Sequence, residues 1–378
     1  MKKITVLGAG MVGRAITIDL CREYDVTSAD LNKNNLSLLE KKIPIKTVLS
    51  DLSSSENIKS LIKNSDLVIG AVPGFMGYET LQTVILAGKN VVDISFFAED
   101  PFTLDELAKK MNVTAIVDCG VCPGLSNIIL GYHNKQMQIE SYECMVGGLP
   151  SKKEWPYKYK AFFSPSDVIE EYTRPARIVE NSKTIVKEAM TDPELIEFDE
   201  VGTLEAFNTD GLRSLLTTMK IPNMTEKTLR YPGHIEIMKI FRETGFFNSD
   251  EVDIKGKKVK PVELTSKLLF PFWQPDEDEE EFTLMKIKIT GKESRQKKVI
   301  GYIMLDRFDH KTKTSSMART TGYTCTAAAR LLLNGSFDRK GISPPEFIGE
   351  EEGCFQKIIF LLEERKIKLI SNIESGHN

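Results

Sequence analysis

Six short apolar runs at 4–7, 26–29, 46–49, 67–72, 91–94 and 115–117 alternate with helix-spaced segments at 12–21, 31–41, 56–62, 78–87 and 104–110. Strands alternating with helices of this length join as parallel βαβ units with right-handed crossovers. Six strands in about 120 residues predict an α/β fold whose first domain is a complete Rossmann, doubly wound parallel sheet.

Gly8-Ala9-Gly10-Met11-Val12-Gly13 falls where the first run turns into the first helix. Glycines alone would serve any tight turn. Here they follow a strand, open a helix, and are followed by Asp30 at the end of the second run. In that setting Gly8 permits the turn, Gly10 lets a pyrophosphate approach the backbone, and Gly13 lets helix and strand pack closely. The helix start at Met11 and Val12 offers free N–H groups to the phosphates.

Asp30 can accept hydrogen bonds from both ribose hydroxyls and would repel a 2′-phosphate. The stretch Leu31-Asn32-Lys33-Asn34 holds a Lys but no Arg. NAD is therefore expected in preference to NADP. FAD fits less well, because the βαβ pattern continues unbroken past the second strand. Asp51, just past the third run, is placed either to meet the adenine edge or to cap the helix at Glu56. Ala71-Val72-Pro73 ends the fourth run, where small residues let the backbone lie against a cofactor.

After residue 117 the texture changes. Asp118-Cys-Gly-Val-Cys-Pro-Gly-Leu-Ser-Asn127 is a Gly/Pro-rich turn at the carboxyl edge of the sixth strand, where open α/β sheets bind ligands. Ser126 or Asn127 is the expected N-cap of the helix that follows. Cys119-x-x-Cys122 lacks the second ligand pair of a zinc site, and no metal site is expected. Residues 126–316 are expected to form a second α/β domain with a mixed sheet for substrate binding and dimerisation, with strands at 141–147, 176–184, 282–290 and 299–308. The first domain is expected to span 1–125 and to be completed by 317–378, with a helix over 320–333 stopped at Gly335, an amphipathic helix over 355–362 and a frayed tail over 371–378.

The formal charge of −4 comes from the acidic run 276–281; without its six acids the chain would carry +2. That run reads as a solvated loop, and the near-neutral remainder argues against a nucleic-acid surface. The first apolar run is too short for a signal segment and no stretch is long enough to span a membrane. With six scattered Cys, the expectation is a cytoplasmic protein with reduced thiols.

Five blocks together resemble the saccharopine dehydrogenase family: residues 118–127, Gly147-Gly-Leu-Pro150, Glu171-Tyr-Thr-Arg-Pro-Ala176, Thr228-Leu-Arg-Tyr-Pro-Gly-His234 and Met317-Ala-Arg-Thr-Thr-Gly322. Within the family the chain is most similar to the lysine 6-dehydrogenase branch, over essentially its whole length. The resemblance implies NAD(P)-linked oxidation of a C–N bond in a lysine-derived substrate, and homodimers. The expected reaction is deamination of L-lysine at the ε-carbon. Glutamate-forming saccharopine oxidation and an NAD-binding regulator without turnover stand as alternatives.

Such an oxidation needs a proton acceptor at the amine and cationic anchors for carboxylate. Asp118 is the candidate for the ammonium, with a turn-holding role as its structural alternative. Arg230 and Tyr231 are placed to bind a substrate carboxylate, as the resemblance supports. His234, with an ordinary pKa of roughly 6.5, suits a general base. Arg174 and Arg319 are second anchors or structural ties.

Overall fold

The computed structural model describes residues 1–276 and 278–375. Glu277 of the acidic run, His377 and the rest of 376–378 lie outside the described residues. No helix among the described residues is long and apolar enough to cross a membrane. The chain divides into two compact units, residues 1–137 with 317–368, and residues 138–316 with 369–378.

In the first unit β1 (Lys3–Leu7), α1 (Met11–Leu20), β2 (Asp25–Asp30), α2 (Lys33–Glu40), β3 (Lys46–Leu49), α3 (Ser55–Ile62), β4 (Leu67–Gly70), α4 (Gly74–Leu86), β5 (Val91–Asp93), α5 (Asp105–Lys110) and β6 (Thr114–Ile116) alternate as expected. The strands pair in parallel in the order β6-β5-β4-β1-β2-β3. The chain leaves β3 at one edge and returns as β4 on the far side of β1, so the strand order reverses between β1 and β4. Ligand crevices of open sheets open at that point. Leu67, Val68 and Ile69 of β4 are fully buried, each contributing on the order of 1.5–3 kcal/mol. Asn32 and Ser54 cap α2 and α3 by accepting from Asn34 N and Asn57 N.

The helix after β6, α6 (Leu125–Asn134), belongs to this unit. The boundary expected at 125/126 therefore lies at 137/138. The reason is close helix packing with the returning C-terminal segment, described below.

The second unit begins with β7 (Gln138–Pro150) and α7 (Pro165–Thr173), followed by β8 (Ala176–Glu180), β9 (Lys183–Lys187), β10 (Glu194–Phe198), β11 (Gly202–Asn208), α8 (Leu215–Thr218), β12 (Asn223–Arg230) and α9 (His234–Glu243). It continues through β13 (Val252–Ile254), β14 (Lys257–Val259), α10 (Pro261–Trp273), β15 (Glu281–Glu293) and β16 (Gln296–Arg307). Its main sheet is mixed: β12 and β7 are parallel, while β10-β11-β12 and β7-β15-β16 are antiparallel.

Two turns depart from the sequence pattern. The strand expected over 176–184 is two strands, because Asn181 and Ser182 both take positive φ (49° and 64°). Residues 291–298, between the strands expected at 282–290 and 299–308, are mostly strand, with Ser294 and Arg295 at φ 50° and 71° forming the turn. Left-handed geometry at both central residues is what a tight hairpin requires. Glu281, expected within a solvated loop, starts β15 and is 1% exposed, its carboxylate accepting from Ser316 N.

The chain returns to the first unit through α11 (Ser316–Leu333), β17 (Gly341–Ser343), α12 (Pro345–Glu350) and α13 (Cys354–Glu364). β17 pairs with β6 and makes the sheet seven-stranded, one strand more than expected. α12 lies against α6 at glycine contacts. A Cβ on Gly131 would fall 2.0 Å from the Glu346 carbonyl oxygen, and one on Gly349 would fall 2.0 Å from that of Ile128. The tail expected to fray instead forms β18 (Ile370–Ser375), which pairs with β16 and so falls in the second unit.

Candidate active site

The turn from β1 into α1 leaves the start of α1 open. Gly8 has φ +111°, and a Cβ there would lie 2.2 Å from the Ala71 carbonyl oxygen; one on Gly13 would lie 2.1 Å from that of Gly8. Around Gly10, by contrast, a Cβ would meet no atom within 4 Å. The first helical bond runs from Arg14 N to Gly10 O. The N–H groups of Met11, Val12 and Gly13 are thus the orphan donors of α1, beneath the open space at Gly10. Ala71 N donates to Leu7 O, and Pro73 stands at the N-cap of α4, so Ala71, Val72 and Pro73 border the same crevice.

Asp30 closes the cradle. Its Oδ2 accepts from Ala9 N at 2.6 Å and its Oδ1 from Asn32 N at 2.7 Å. Asn35 reaches Oδ2 at 3.4 Å, and Arg14 Nη1 donates to Ala9 O at 3.0 Å and to Asn35 Oδ1 at 3.4 Å. An arginine therefore stands beside Asp30 after all, brought from α1. The stretch downstream of Asp30 gives no sign of it, because Arg14 directly follows Gly13 in the preceding helix. Asp51 is exposed and its carboxylate accepts from Ser53 N and Ser53 Oγ, bonds that hold its pKa down. It closes a surface turn ahead of the Ser54 cap.

Asp118 follows β6 and is 3% exposed, with a left-handed φ of 53°. The loop behind it folds tightly: Gly120 N donates to Pro123 O, and Leu125 N to Gly120 O. The N-cap of α6 is Gly124 rather than Ser126 or Asn127; Asn127 sits one turn in, accepts from Gly124 N at 3.2 Å and donates to Glu346 at 3.1 Å. Burial pushes the Cys119 thiol far up, so it stays protonated. Arg319 on α11 donates through Nη2 to Arg365 O at 3.0 Å, tying α11 to the end of α13.

In the second unit β12, α7 and α9 bring four predicted residues near one another. Arg230 is 2% exposed. Its Nε donates to Tyr172 Oη at 2.9 Å, its Nη1 to Leu229 O at 3.0 Å and its Nη2 to Glu171 Oε2 at 2.8 Å. Its guanidinium lies 4.6 Å from the ring centre of Tyr159. His234 contacts Tyr157 O through Nδ1 at 2.8 Å and Tyr172 Oη through Nε2 at 2.9 Å. Desolvation first, then the Arg230 charge, push His234 down to about 3. Both ring nitrogens are occupied and the ring is neutral at physiological pH, so the expected general base near neutrality is not what the structure contains.

Tyr231 is likewise corrected. Its hydroxyl donates to Pro150 O at 2.9 Å inside the unit, and burial pushes it up to about 12. Arg174 ends α7 and pairs with Glu170 at 3.3 Å. Close by, Glu226 is 4% exposed, with Oε2 accepting from Thr209 Oγ1 at 2.7 Å. Desolvation chiefly pushes it up to about 8, opposed by the Thr209 bond and reinforced by Glu171 and Asp210.

Residues 120–367 match the family model described as saccharopine dehydrogenase C-terminal domain, and residues 4–116 match the saccharopine dehydrogenase NADP binding domain. The chain belongs to the saccharopine dehydrogenase family.

Among its relatives is the bovine mitochondrial alpha-aminoadipic semialdehyde synthase, 27% identical over 66% of this chain and 29% of that one. The glutamate-forming, NADP(+) saccharopine dehydrogenase of Pyricularia oryzae is 23% identical over 83% of this chain and 73% of that one. The chain spans only about 29% of the bovine enzyme's length. The apo saccharopine dehydrogenase of Saccharomyces cerevisiae shares the fold, with TM-score 0.79, 17% identity and coverage of 99% of this chain and 100% of that one. Within this saccharopine dehydrogenase scaffold, sequence reasoning missed Arg14, Tyr159, Glu171 and Tyr172. Glu171 and Tyr172 stand in the 171–176 block that carried the resemblance, so a signal for them was present.

Proposed function

We propose that the chain oxidises the C–N bond of a lysine-derived amino acid with a nicotinamide dinucleotide, taking saccharopine to glutamate and the aminoadipic semialdehyde. The observation that carries this reading is the union in one chain of an open glycine cradle closed by Asp30 and the saccharopine dehydrogenase C-terminal domain over 120–367. The names of the relatives support the glutamate-forming direction over lysine deamination.

In this reading the cradle residues hold the cofactor, and the second unit carries the substrate and the contacts of a homodimer. The Met11, Val12 and Gly13 amides take the pyrophosphate, while Asp30 takes the ribose hydroxyls and Ala71, Val72 and Pro73 border it. Bound there, the nicotinamide supplies a hydride acceptor. Asp118 receives the proton that the substrate nitrogen must lose before its lone pair can drive hydride departure; water then hydrolyses the resulting imine. NAD is preferred to NADP because the Asp30 carboxylate opposes a 2′-phosphate. Arg14 beside it favours NADP as the second reading. The resemblance to the lysine 6-dehydrogenase branch favours a second substrate, free L-lysine, with release of ammonia.

The test is absorbance at the NADH band with saccharopine, with lysine and with neither, together with glutamate and ammonia assays. NADH with glutamate from saccharopine supports the leading reading; NADH with ammonia from lysine replaces it with the second. Dinucleotide binding with no NADH from either substrate overturns both, in favour of a regulator.

A further inference from the structure

The bonds around Arg230 have a determinate direction. Tyr157 O can only accept, so His234 Nδ1 carries the proton and Nε2 is an acceptor. Tyr172 must then donate its hydroxyl proton to Nε2, leaving its oxygen to accept from Arg230 Nε. Arg230 in turn donates to Glu171 Oε2. His234, Tyr172 and Arg230 are all 2% exposed or less. Only the last member reaches solvent: the Glu171 side chain is 22% exposed.

A carboxylate gripped from behind turns its remaining edge toward solvent, and a partly desolvated acid gains from a charged partner there. The surrounding charges select what completes it. Asp167 stands one turn earlier on α7, Asp210 is paired with Arg177 at 2.8 Å, and Arg174 is paired with Glu170. Of the two arginines whose charge acts on Glu171, Arg230 is already bound to it and Arg174 is engaged by Glu170. A further cation is favoured there and an anion is not.

We propose that Glu171 takes the α-ammonium group of the substrate's amino-acid head, with Arg230, Tyr172 and His234 as positioning residues behind it. This names a substrate class, α-amino acids that retain a free ammonium, and rests on the amine-oxidising reading above. It accounts for the burial of Arg230: the guanidinium orients the acid and need not meet the ligand. It also gives His234 a role that requires an unprotonated Nε2, since only then can that atom accept the Tyr172 hydroxyl proton and fix the hydroxyl's direction.

The experiment compares saccharopine with N-(5-carboxypentyl)-L-glutamate, which keeps the scissile C–N bond and lacks the α-ammonium of the lysyl part. In Glu171→Gln, kcat/KM for saccharopine is expected to fall by about 10- to 100-fold, the range for one charge-assisted hydrogen bond, mainly through KM. For the analogue it is expected to change less than about threefold. Tyr172→Phe, which keeps the charge and loosens its orientation, is expected to show the same split to a smaller extent. Equal losses on both substrates, or no loss on either, overturn the assignment. If the wild-type enzyme produces no NADH, the functional reading falls, and calorimetric binding of L-lysine against 6-aminohexanoate still decides the Glu171 assignment. Preference for lysine that Glu171→Gln abolishes supports it; equal binding in wild type overturns it.

Discussion

Asp19 on α1 accepts from Arg330 Nη1 on α11 at 2.9 Å across 311 residues of sequence. The same carboxylate accepts from Arg365 Nε at 2.8 Å and from Thr326 Oγ1 at 2.6 Å, and Arg330 also reaches Glu23 at 2.7 Å. Two arginines of the returning segment thus converge on one carboxylate of the first helix, which locks the first unit's two stretches of chain together.

Removing that carboxylate takes from Arg330 and Arg365 their shared buried partner, leaving only the more exposed Glu23 and Glu364 beside them. Asp19→Ala is expected to destabilise the protein by about 3–5 kcal/mol, the usual cost of breaking a buried pair, read as a drop in urea midpoint. Burial raises the Asp19 pKa, and Arg330, Arg365 and the Thr326 bond outweigh it, leaving the net value below 3.8. A lowered folded pKa gives stability that is present above about 3.8 and lost as pH falls through the folded value. The variant is expected to have a flatter acid limb. A wild-type limb of equal slope would contradict the linkage.

His234 and Glu226 are expected to act on pH stability in opposite senses. His234, lowered from 6.5 to about 3, is neutral when folded; between those values the unfolded chain binds the extra proton, so stability is lost as pH falls through that window. Glu226, raised from 4.5 to about 8, keeps its proton when folded; its contribution is full below 4.5 and is lost as pH rises toward 8. Thermal melts of His234→Gln are expected to depend less on pH between about 3 and 6.5, and those of Glu226→Gln less between about 4.5 and 8. Unchanged profiles in both variants would contradict these assignments.

Gly10 and Gly8 separate binding from folding. Gly10→Ala meets open space in the free protein, so its Tm is expected to stay close to wild type, while dinucleotide Kd rises about tenfold or more as the methyl enters the phosphate position. Gly8→Ala drives a Cβ into the Ala71 carbonyl at a left-handed φ and is expected to cost stability as well. Calorimetric titration and melts of both variants check this; equal losses in the two would contradict it.

The cofactor choice rests on Asp30 and Arg14. Asp30→Ala is expected to weaken NAD by about tenfold or more, a charged hydrogen-bond set being at stake, and to improve NADP relative to it. Arg14→Ala is expected to weaken NADP more than NAD. Ratios of kcat/KM for the two cofactors decide it, and a preference unmoved by Asp30→Ala would contradict the role given to that residue.

What the sequence made legible follows from how local each signal is. β1 to β6 and the cradle are short-range patterns, an apolar run, a glycine turn and an acid at the next strand end, and all are where the pattern implies. β17 and β18 are three and six residues long and acquire strand character only by pairing with β6 and β16. Asn181-Ser182 and Ser294-Arg295 lack the glycine that usually marks a tight hairpin. His234 has an ordinary imidazole's chemistry on paper; its environment of Arg230, Tyr172 and a backbone carbonyl is assembled from distant segments, and that environment sets its protonation.

The central claim is oxidation of a C–N bond with a dinucleotide held by this cradle, and the most direct measurement is the stoichiometry of glutamate to NADH when saccharopine and NAD are supplied. The account predicts equal amounts of the two, no ammonia, and no NADH when saccharopine is omitted. Saturable NAD binding with neither NADH nor glutamate formed would contradict it.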